Sequence, residues 1–247
     1  MKTILITGGG RGIGAAVALA CARRGDAVAV NYAHDAARAE AVAAAARALG
    51  VPALAWRADV ADEAQLLAMF ARIDAELPPL GGLVNNAGVV DVAARVDQMS
   101  VQRLLRMFTV NVVGSFVCAR EAVRRMSTRH GGSGGSIVNL SSAAARLGSP
   151  GIYVDYAASK GAIDTFTLGL AREVAAEGIR VNAVRPGIID TEIHASGGQA
   201  DRAQTQSAQL PMQRAGTAEE VAAAIVWLLS DEASYTTGAL LDVAGGR

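Results

Sequence analysis

The sequence predicts an α/β protein built as a doubly wound parallel sheet of about seven strands, with helices on both faces. Three observations carry this. Short β-runs alternate with longer helical stretches from the N-terminus onward, and βαβ alternation places parallel strands under a layer of helices on each side. Ala supplies 52 of the 247 residues and aromatics only 4%, a composition for many helices packed closely on something flat. No Pro/Ser-rich linker and no internal repeat interrupts the pattern, so one domain over residues 1–247 is expected. With right-handed crossovers the doubly wound arrangement follows.

The elements read in order as follows. Thr3–Thr7 is a strand and Ile13–Arg24 a helix with Val17, Ala20 and Cys21 on one face. Ala27–Asn31 is a strand, followed by the nearly pure Ala helix Ala36–Leu49, closed by Gly50 as its C′ residue. Ala53–Arg57 is a strand, and Asp62–Leu77 a helix with Leu66, Met69, Phe70 and Ile73 at i, i+3, i+4 and i+7. Leu83–Asn85 is a short strand before one long helix, Val101–Met126. Gly131 to Gly135 reads as a flexible surface turn leading to the strand Ser136–Leu140. Helix Asp155–Glu177, strand Arg180–Val184, helix Ala218–Ser230 and a last strand Ala239–Val243 complete the set. The stretch His194–Gln209 is polar, poorly periodic and long for a loop, and a substrate lid is expected over residues 188–213.

Composition also excludes classes. A chain 51% hydrophobic and 19% charged is not disordered. Equal acidic and basic counts, 23 each, leave no electrostatic footprint for nucleic acid or an anionic membrane. No run of 18 apolar residues is present to span a bilayer. The first apolar run breaks on three glycines after a few residues, which is a strand and not a signal peptide. Cys21 and Cys118 both sit in apolar helical patterns and read as buried small hydrophobes. A cytoplasmic protein acting on a small molecule is the expectation. His34, His130 and His194 lack metal-ligand spacing.

Thr7-Gly8-Gly9-Gly10-Arg11-Gly12-Ile13-Gly14 follows the first strand and opens the first helix. Glycines there permit a tight turn and close approach of the backbone to a pyrophosphate, whose charge sits at the helix N-terminus. Dinucleotide binding is therefore expected, with Gly8, Arg11, Gly12, Ile13 and Gly14 at the phosphates. A ribose-reading residue belongs at the tip of the second strand, which here ends at Asn31 and Tyr32 with no carboxylate. Asp35 is better placed as the N-cap of the next helix. Without a carboxylate nothing repels a 2′-phosphate, and Arg11 is able to pair with it, so NADP is favoured over NAD.

Tyr156 and Lys160 stand at i and i+4 on one helical face. A free phenol has a pKa near 10, and lowering it three units takes roughly 4 kcal/mol of differential stabilisation. A surface ammonium alone falls short of that; a partly desolvated Lys with an oxidised nicotinamide ring does not. Tyr153 has Ala157 four residues on and so lacks a Lys partner. Ser141 and Ser142 lie just past a strand end, where α/β ligands bind. Asn85-Asn86-Ala87-Gly88 occupies the end of the preceding strand.

Jointly these residues resemble the short-chain dehydrogenase/reductase family, of the compact Rossmann-type, over essentially the whole chain. The motifs are the glycine turn, Asp59-Val60, Asn85 to Gly88, Asn111 in Asn-Val-Val-Gly, Ser142, Tyr156 with Lys160, and Pro186-Gly187 followed by Thr191. The resemblance implies an NAD(P)-dependent oxidoreductase passing hydride between the nicotinamide and a carbonyl or secondary alcohol. It implies Tyr156 as general acid/base, Ser142 orienting the substrate oxygen, and Lys160 on the ribose and lowering the tyrosine pKa. Asn111 would hold a water relaying protons to Lys160. Asp59 and Val60 would contact adenine; Asn86, Ala87 and Gly88 would line the cofactor; Pro186, Gly187, Ile189 and Thr191 would flank the carboxamide. Ser142 is preferred to Ser141 on the family's Ser-Ser pattern. The 14 positions from Ser142 to Tyr156 exceed the family's usual spacing, so Arg146, Leu147 and Tyr153 are candidates to shape the pocket. Gly238 to Gly246 resembles a tail that supports homodimer or homotetramer contacts.

Two rival readings remain: a catalytically silent dinucleotide sensor, and an epimerase or lyase that turns over tightly held NAD internally. For the substrate, Glu192, His194, Gln199, Gln204 and Gln206 would suit a hydroxylated compound, whereas a basic patch of Arg124, Arg125 and Arg129 would suit an acyl-carrier thioester.

Overall fold

The computed structural model of the chain describes residues 1–192, 197–198 and 202–247, the side chains of Arg202 and Gln204 excepted. Its elements are β1 (Thr3–Ile6), α1 (Gly12–Arg23), β2 (Ala27–Tyr32), α2 (Ala36–Ala48), β3 (Ala53–Arg57), α3 (Glu63–Glu76), β4 (Leu80–Asn85), α4 (Val101–Phe108), α5 (Gly114–Met126), β5 (Gly135–Leu140), α6 (Ala144–Leu147), α7 (Val154–Val174), β6 (Ile179–Pro186), α8 (Arg202–Ser207), α9 (Ala218–Leu229) and β7 (Leu240–Val243). The strands form one sheet in the order β3-β2-β1-β4-β5-β6-β7, and every pairing is parallel.

Both faces of the sheet are covered, and the period-2 alternation of a strand sorts the core. Ile4, Ile6, Val28, Val30 and Val138 pack with α1, α2 and α9. Leu5, Ala29, Leu83, Ile137 and Val181 point the other way, against α3, α5 and α7. The Ala excess is used where the helices must lie close: α2 buries only Ala39, Ala43 and Ala46. Local signals fix the helix ends. The Asp35 carboxylate accepts from the Arg38 N–H at 3.0 Å, the N-cap role expected of it, and Gly50 takes the left-handed φ of +86° beyond α2.

Three details differ from the sequence reading. The long helix over 101–126 is interrupted by a π turn at Thr109–Val113, which hydrophobic periodicity does not register because only one turn is widened. Strand β4 starts at Leu80, three residues early. Its two glycines are there for proximity: a Cβ on Gly82 would lie 2.6 Å from Ile4 Cδ1, and one on Gly81 2.7 Å from Lys2 Cδ. The glycine run 131–135 is a turn, but a packed one. A Cβ on Gly132 would meet the Arg125 carbonyl at 2.4 Å and one on Gly134 the Gly178 carbonyl at 2.6 Å.

In this order β1 stands between β2 and β4, so the loops leaving β1 and β4 diverge. That switch point opens a crevice at the carboxyl ends of the strands, the place where ligands bind in such sheets. No helix among the described residues is long and apolar enough to cross a membrane.

Candidate active site

Two cavities meet at the carboxyl ends of the strands. The larger, about 870 Å³, is lined by Gly8, Arg11, Gly12, Ile13, Asn31, Tyr32, Asp59, Val60, Asn86, Ala87, Gly88 and Thr191. The smaller, about 140 Å³, is lined by Ser142, Tyr156, Lys160, Pro186, Gly187 and Ile189. Ile13, Asn86, Gly88 and Thr191 belong to both walls. The structure thus gathers nearly every residue singled out above. Gly14 and Asn111 line neither cavity; they stand behind the walls.

The glycine turn is built to be approached closely. Gly8 and Gly12 have φ of +61° and +50°, open to glycine at no steric cost. The turn is clamped to the end of β4: Thr7 Oγ accepts from the Asn86 and Ala87 N–H groups, both at 3.0 Å, and Asn86 Nδ2 donates to the Thr7 and Gly8 carbonyls at 2.9 and 3.0 Å. Asn31 is buried; its Oδ1 accepts from the Gly8 N–H at 3.2 Å and its Nδ2 donates to the Ala58 carbonyl at 2.8 Å. Asn86 and Asn31 therefore hold the turn's shape with their side-chain amides. A roomy cavity at a helix N-terminus, floored by a turn with no Cβ atoms at Gly8 and Gly12, fits a dinucleotide.

Asn111 sits in the π turn, buried. Its Oδ1 accepts from the Val89 N–H at 2.8 Å, and its Nδ2 donates to the Val89 carbonyl at 3.0 Å and to Ser159 Oγ at 3.1 Å. The side chain anchors the loop after β4 to α7. A Cβ on Gly88 would lie 3.4 Å from Asn111 Oδ1 and 3.7 Å from Lys160 Nζ, so both groups crowd the same glycine. Below them runs a buried amide chain that sequence reasoning missed. Asn85 Nδ2 donates to Asn139 Oδ1, and Asn139 Nδ2 to Thr167 Oγ, each at 2.9 Å. It ties β4, β5 and α7 together; its one sequence signal is an Asn at the carboxyl end of each of two apolar strands.

Helix α7 carries Tyr156 and Lys160 into the smaller cavity, Nζ lying 5.6 Å from the phenol ring centroid. Lys160 is buried and donates to the Leu140 carbonyl at 2.5 Å. Burial brings its pKa down to about 8, with the Asp164 carboxylate opposing. Burial also pushes the Tyr156 phenol up, against a hydrogen bond with Ser142 that pulls it down. The chain by itself therefore keeps Tyr156 protonated. Ser141 and Ser142 are now distinguished: Ser141 is buried with its hydroxyl donating to the Lys160 carbonyl at 3.2 Å, and Ser142 is the serine that meets the phenol. Of the loop candidates, Leu147 and Tyr153 line the smaller cavity; Arg146 instead reaches the Arg247 carbonyl at 3.0 Å.

A stability test follows from the Lys160 shift. A lysine whose folded pKa lies below its unfolded value costs stability while protonated, and the cost fades as pH rises from the folded pKa toward the unfolded one. With Lys160 at about 8 against 10.5, K160M is expected to be most stabilised relative to the parent at or below pH 8. The advantage should shrink toward pH 10 in parallel urea unfolding curves. A difference constant across that range would contradict the burial argument.

Other residues fall elsewhere than expected. Glu192 faces the larger cavity, where Arg38 Nη1 donates to its two oxygens at 2.6 and 2.5 Å, so it does not serve the substrate side. Gln206 lines neither cavity. His194, Gln199 and the Gln204 side chain lie outside the described residues. Arg124 and Arg125 pair with Glu121, Arg125 also with Asp74, and Arg129 with Glu177. These arginines cluster at the C-terminal end of α5 and just beyond, the end that leads into the start of β5 and so lies opposite the cavities; the basic-patch idea is not supported there. Arg38 is a residue the sequence reading missed. It lines the larger cavity beside Tyr32, and its signal was its place in the first turn of α2, just past the tip of β2.

The fold and the two joined cavities define a dinucleotide-dependent enzyme class, with a phosphate turn, a Tyr-Lys pair and a strand-end serine converging on one crevice. A family model described as Enoyl-(Acyl carrier protein) reductase matches residues 8–247. The chain is 56% identical over 247 residues to the uncharacterized oxidoreductase YgfF of Escherichia coli (strain K12), covering 100% of both chains. It is 37% identical to glucose 1-dehydrogenase 2 of Bacillus subtilis (strain 168), covering 99% of this chain and 94% of the relative. Among solved structures, a short chain dehydrogenase from Burkholderia cenocepacia J2315 in complex with NADP superposes with a TM-score of 0.90 at 37% identity, covering 99% and 97% of the two chains. The chain belongs to the short-chain dehydrogenase/reductase family of NAD(P)-dependent oxidoreductases.

Proposed function

We propose that this chain interconverts a carbonyl and a secondary alcohol of a small substrate with NADP(H), Tyr156 serving as the proton donor and acceptor. The observation that carries the reading is the meeting of Tyr156, Ser142 and Lys160 on the smaller cavity, which shares a wall with the dinucleotide-sized one. When bound, the nicotinamide supplies or takes the hydride. The glycine turn and the Thr191 segment hold the cofactor's length, and Gly88 leaves room for it beside Lys160. Ser142 donates to the substrate oxygen. In reduction, Tyr156 Oη gives its proton to that oxygen as the carbonyl carbon becomes tetrahedral, and in oxidation the same atom takes it back. Lys160 near its working pH holds positive charge beside the phenol, so deprotonating the phenol is easier than burial alone allows. Asn111 ties Val89, in the wall of the larger cavity, to Ser159 of α7.

The preference for NADP is supported by what stands at the tip of β2. Tyr32 occupies the place of a ribose-reading carboxylate, and Arg11 and Arg38 line the same cavity. R38A and R11A are each expected to weaken NADPH binding by about five- to tenfold and to leave NADH binding nearly unchanged, since a charge-assisted contact to the 2′-phosphate is lost. Fluorescence titration of both reduced cofactors checks this. Equal weakening of both would count against the assignment.

The enzyme reading is tested with purified protein, NADP and NAD, and a panel of alcohols, sugars and ketones, followed at 340 nm. A silent binder gives no change with any of them, and an internal-redox epimerase or lyase converts substrate with no net absorbance change. We place the protein in the cytoplasm, a reading supported by two buried free thiols, and read it as one domain, supported by one continuous sheet; the lid over residues 188–213 rests on the sequence alone. Assembly as a homodimer or homotetramer is supported by the exposed apolar side chains of Val101, Leu105, Val113 and Phe116 along α4, the π turn and α5.

A further inference from the structure

The guanidiniums at the adenosine end of the larger cavity are already paired. Arg38 Nη1 lies 2.6 and 2.5 Å from the two Glu192 oxygens, and Arg11 Nη1 lies 3.8 Å from Glu192 Oε2. Arg38 Nε is also 3.3 Å from Asp35 Oδ2. Two cations thus face two carboxylates, and the cluster has no net charge to offer an anion. Asp35 is held in place by capping α2. Glu192 is held differently. Its backbone is anchored beyond the end of β6, where Ile189 makes an isolated bridge to Gly216 and the Asp190 N–H donates to the Gly216 carbonyl at 2.9 Å. From that anchor the side chain crosses to α1 and α2 and remains about half exposed, as do Arg11 and Arg38.

We propose that Glu192 is a cofactor-discriminating residue whose carboxylate occupies Arg38 and Arg11 in place of a 2′-phosphate. The inference rests on reading the larger cavity as the dinucleotide site. A 2′-phosphate carries nearly two negative charges and pairs best with the fork of an arginine. To reach Arg38 it must displace Glu192, and until then the carboxylate repels it. A 2′-hydroxyl brings no charge, so NAD leaves the Glu192 pairs intact. The two arginines favour NADP, and Glu192 offsets part of that preference.

The test titrates adenosine 2′,5′-bisphosphate and 5′-AMP into the full chain by calorimetry, with the parent and with E192Q. Both probes carry a 5′-phosphate, and only one carries the 2′-phosphate. E192Q is expected to bind the bisphosphate about two- to fivefold more tightly, the range set by exposed ion pairs, with 5′-AMP affinity unchanged. Unchanged or weaker bisphosphate binding overturns the inference. Equal tightening of both probes overturns it too, because the carboxylate would then act on any anion in the cavity. If neither probe binds the parent chain, the nucleotide reading of the cavity fails and takes this inference with it.

Discussion

Y156F is expected to lower kcat by about 10²–10⁴-fold, the contribution of a positioned acid–base group, while NADPH binding and the melting temperature stay near those of the parent. The substitution removes one oxygen and keeps the ring. The edge contact to Tyr153, with centroids 6.5 Å apart, is retained, and no cavity opens in the core. What disappears is the proton donor at the mouth of the smaller cavity and its hydrogen bond with Ser142. Ser142 Oγ keeps the Ala144 N–H at 3.1 Å, so the loop after β5 has no reason to rearrange. Y153F is the matched control. Its hydroxyl lies 3.5 Å from the Gly197 carbonyl, it lines the same cavity, and it has no lysine one turn on. Stopped-flow turnover with a substrate found in the panel, alongside fluorescence titration of NADPH, separates the outcomes. Full turnover by Y156F would end the acid–base assignment.

The direction of the Tyr156 shift gives this expectation its detail. Burial holds the phenol protonated, and Lys160 is held near neutrality at about 8. In that state the site is a proton donor, the role needed for carbonyl reduction. On the proposed acid–base role, oxidation would require the phenolate, for which Lys160 would supply one nearby positive charge and the oxidised nicotinamide, when bound, would supply another. The two directions of the reaction therefore call on different ionisations of the same pair.

Much of this was legible in the sequence because the signals were local. Strand–turn–helix order with glycines at residues 8, 12 and 14 announced the glycine turn after β1, and the i, i+4 spacing of Tyr156 and Lys160 put both on one face. Asp35 read correctly as a cap because its carboxylate acts three residues away. The misses are non-local. The π turn at Asn111 is held by Val89, 22 residues earlier. Gly82 of β4 and Gly134 of the turn exist for contacts with Ile4 and Gly178 that no window of sequence contains. Glu192 was assigned to the substrate as one of the polar residues of the expected lid, yet its partner Arg38 is 154 residues away. The lesson concerns polar side chains above all. Their partners are chosen by the fold, and composition near them in sequence says little about which face they serve.

G14A is expected to weaken dinucleotide binding by about 10²-fold, the cost of displacing a binding group by roughly 1 Å, and to lower stability by about 1–3 kcal/mol as an overpacked site does. A Cβ on Gly14 would stand 2.5 Å from the Gly8 carbonyl oxygen, 2.6 Å from Asn86 Nδ2 and 2.9 Å from Gly9 Cα. None of these is the loose end of a long side chain. Gly8 carries φ of +61° and is pinned by Asn31; Asn86 Nδ2 is spent on the Thr7 and Gly8 carbonyls. The methyl group can be accommodated only by moving the turn, and moving the turn breaks the clamp that shapes it. Gly161 and Gly169 in α7 supply the contrast. A Cβ at either meets nothing within 4 Å, so G161A and G169A should each stabilise by about 0.4–1 kcal/mol through helix propensity and a less flexible unfolded chain. Urea unfolding with and without NADPH distinguishes the cases. For the α7 variants the cofactor should add the same stability as in the parent, and for G14A it should add almost none, because the lost binding energy is the stabilisation that ligand linkage would have provided. A G14A protein still stabilised by NADPH as strongly as the parent would show that the turn yields without cost, and that its close packing is not what holds the pyrophosphate.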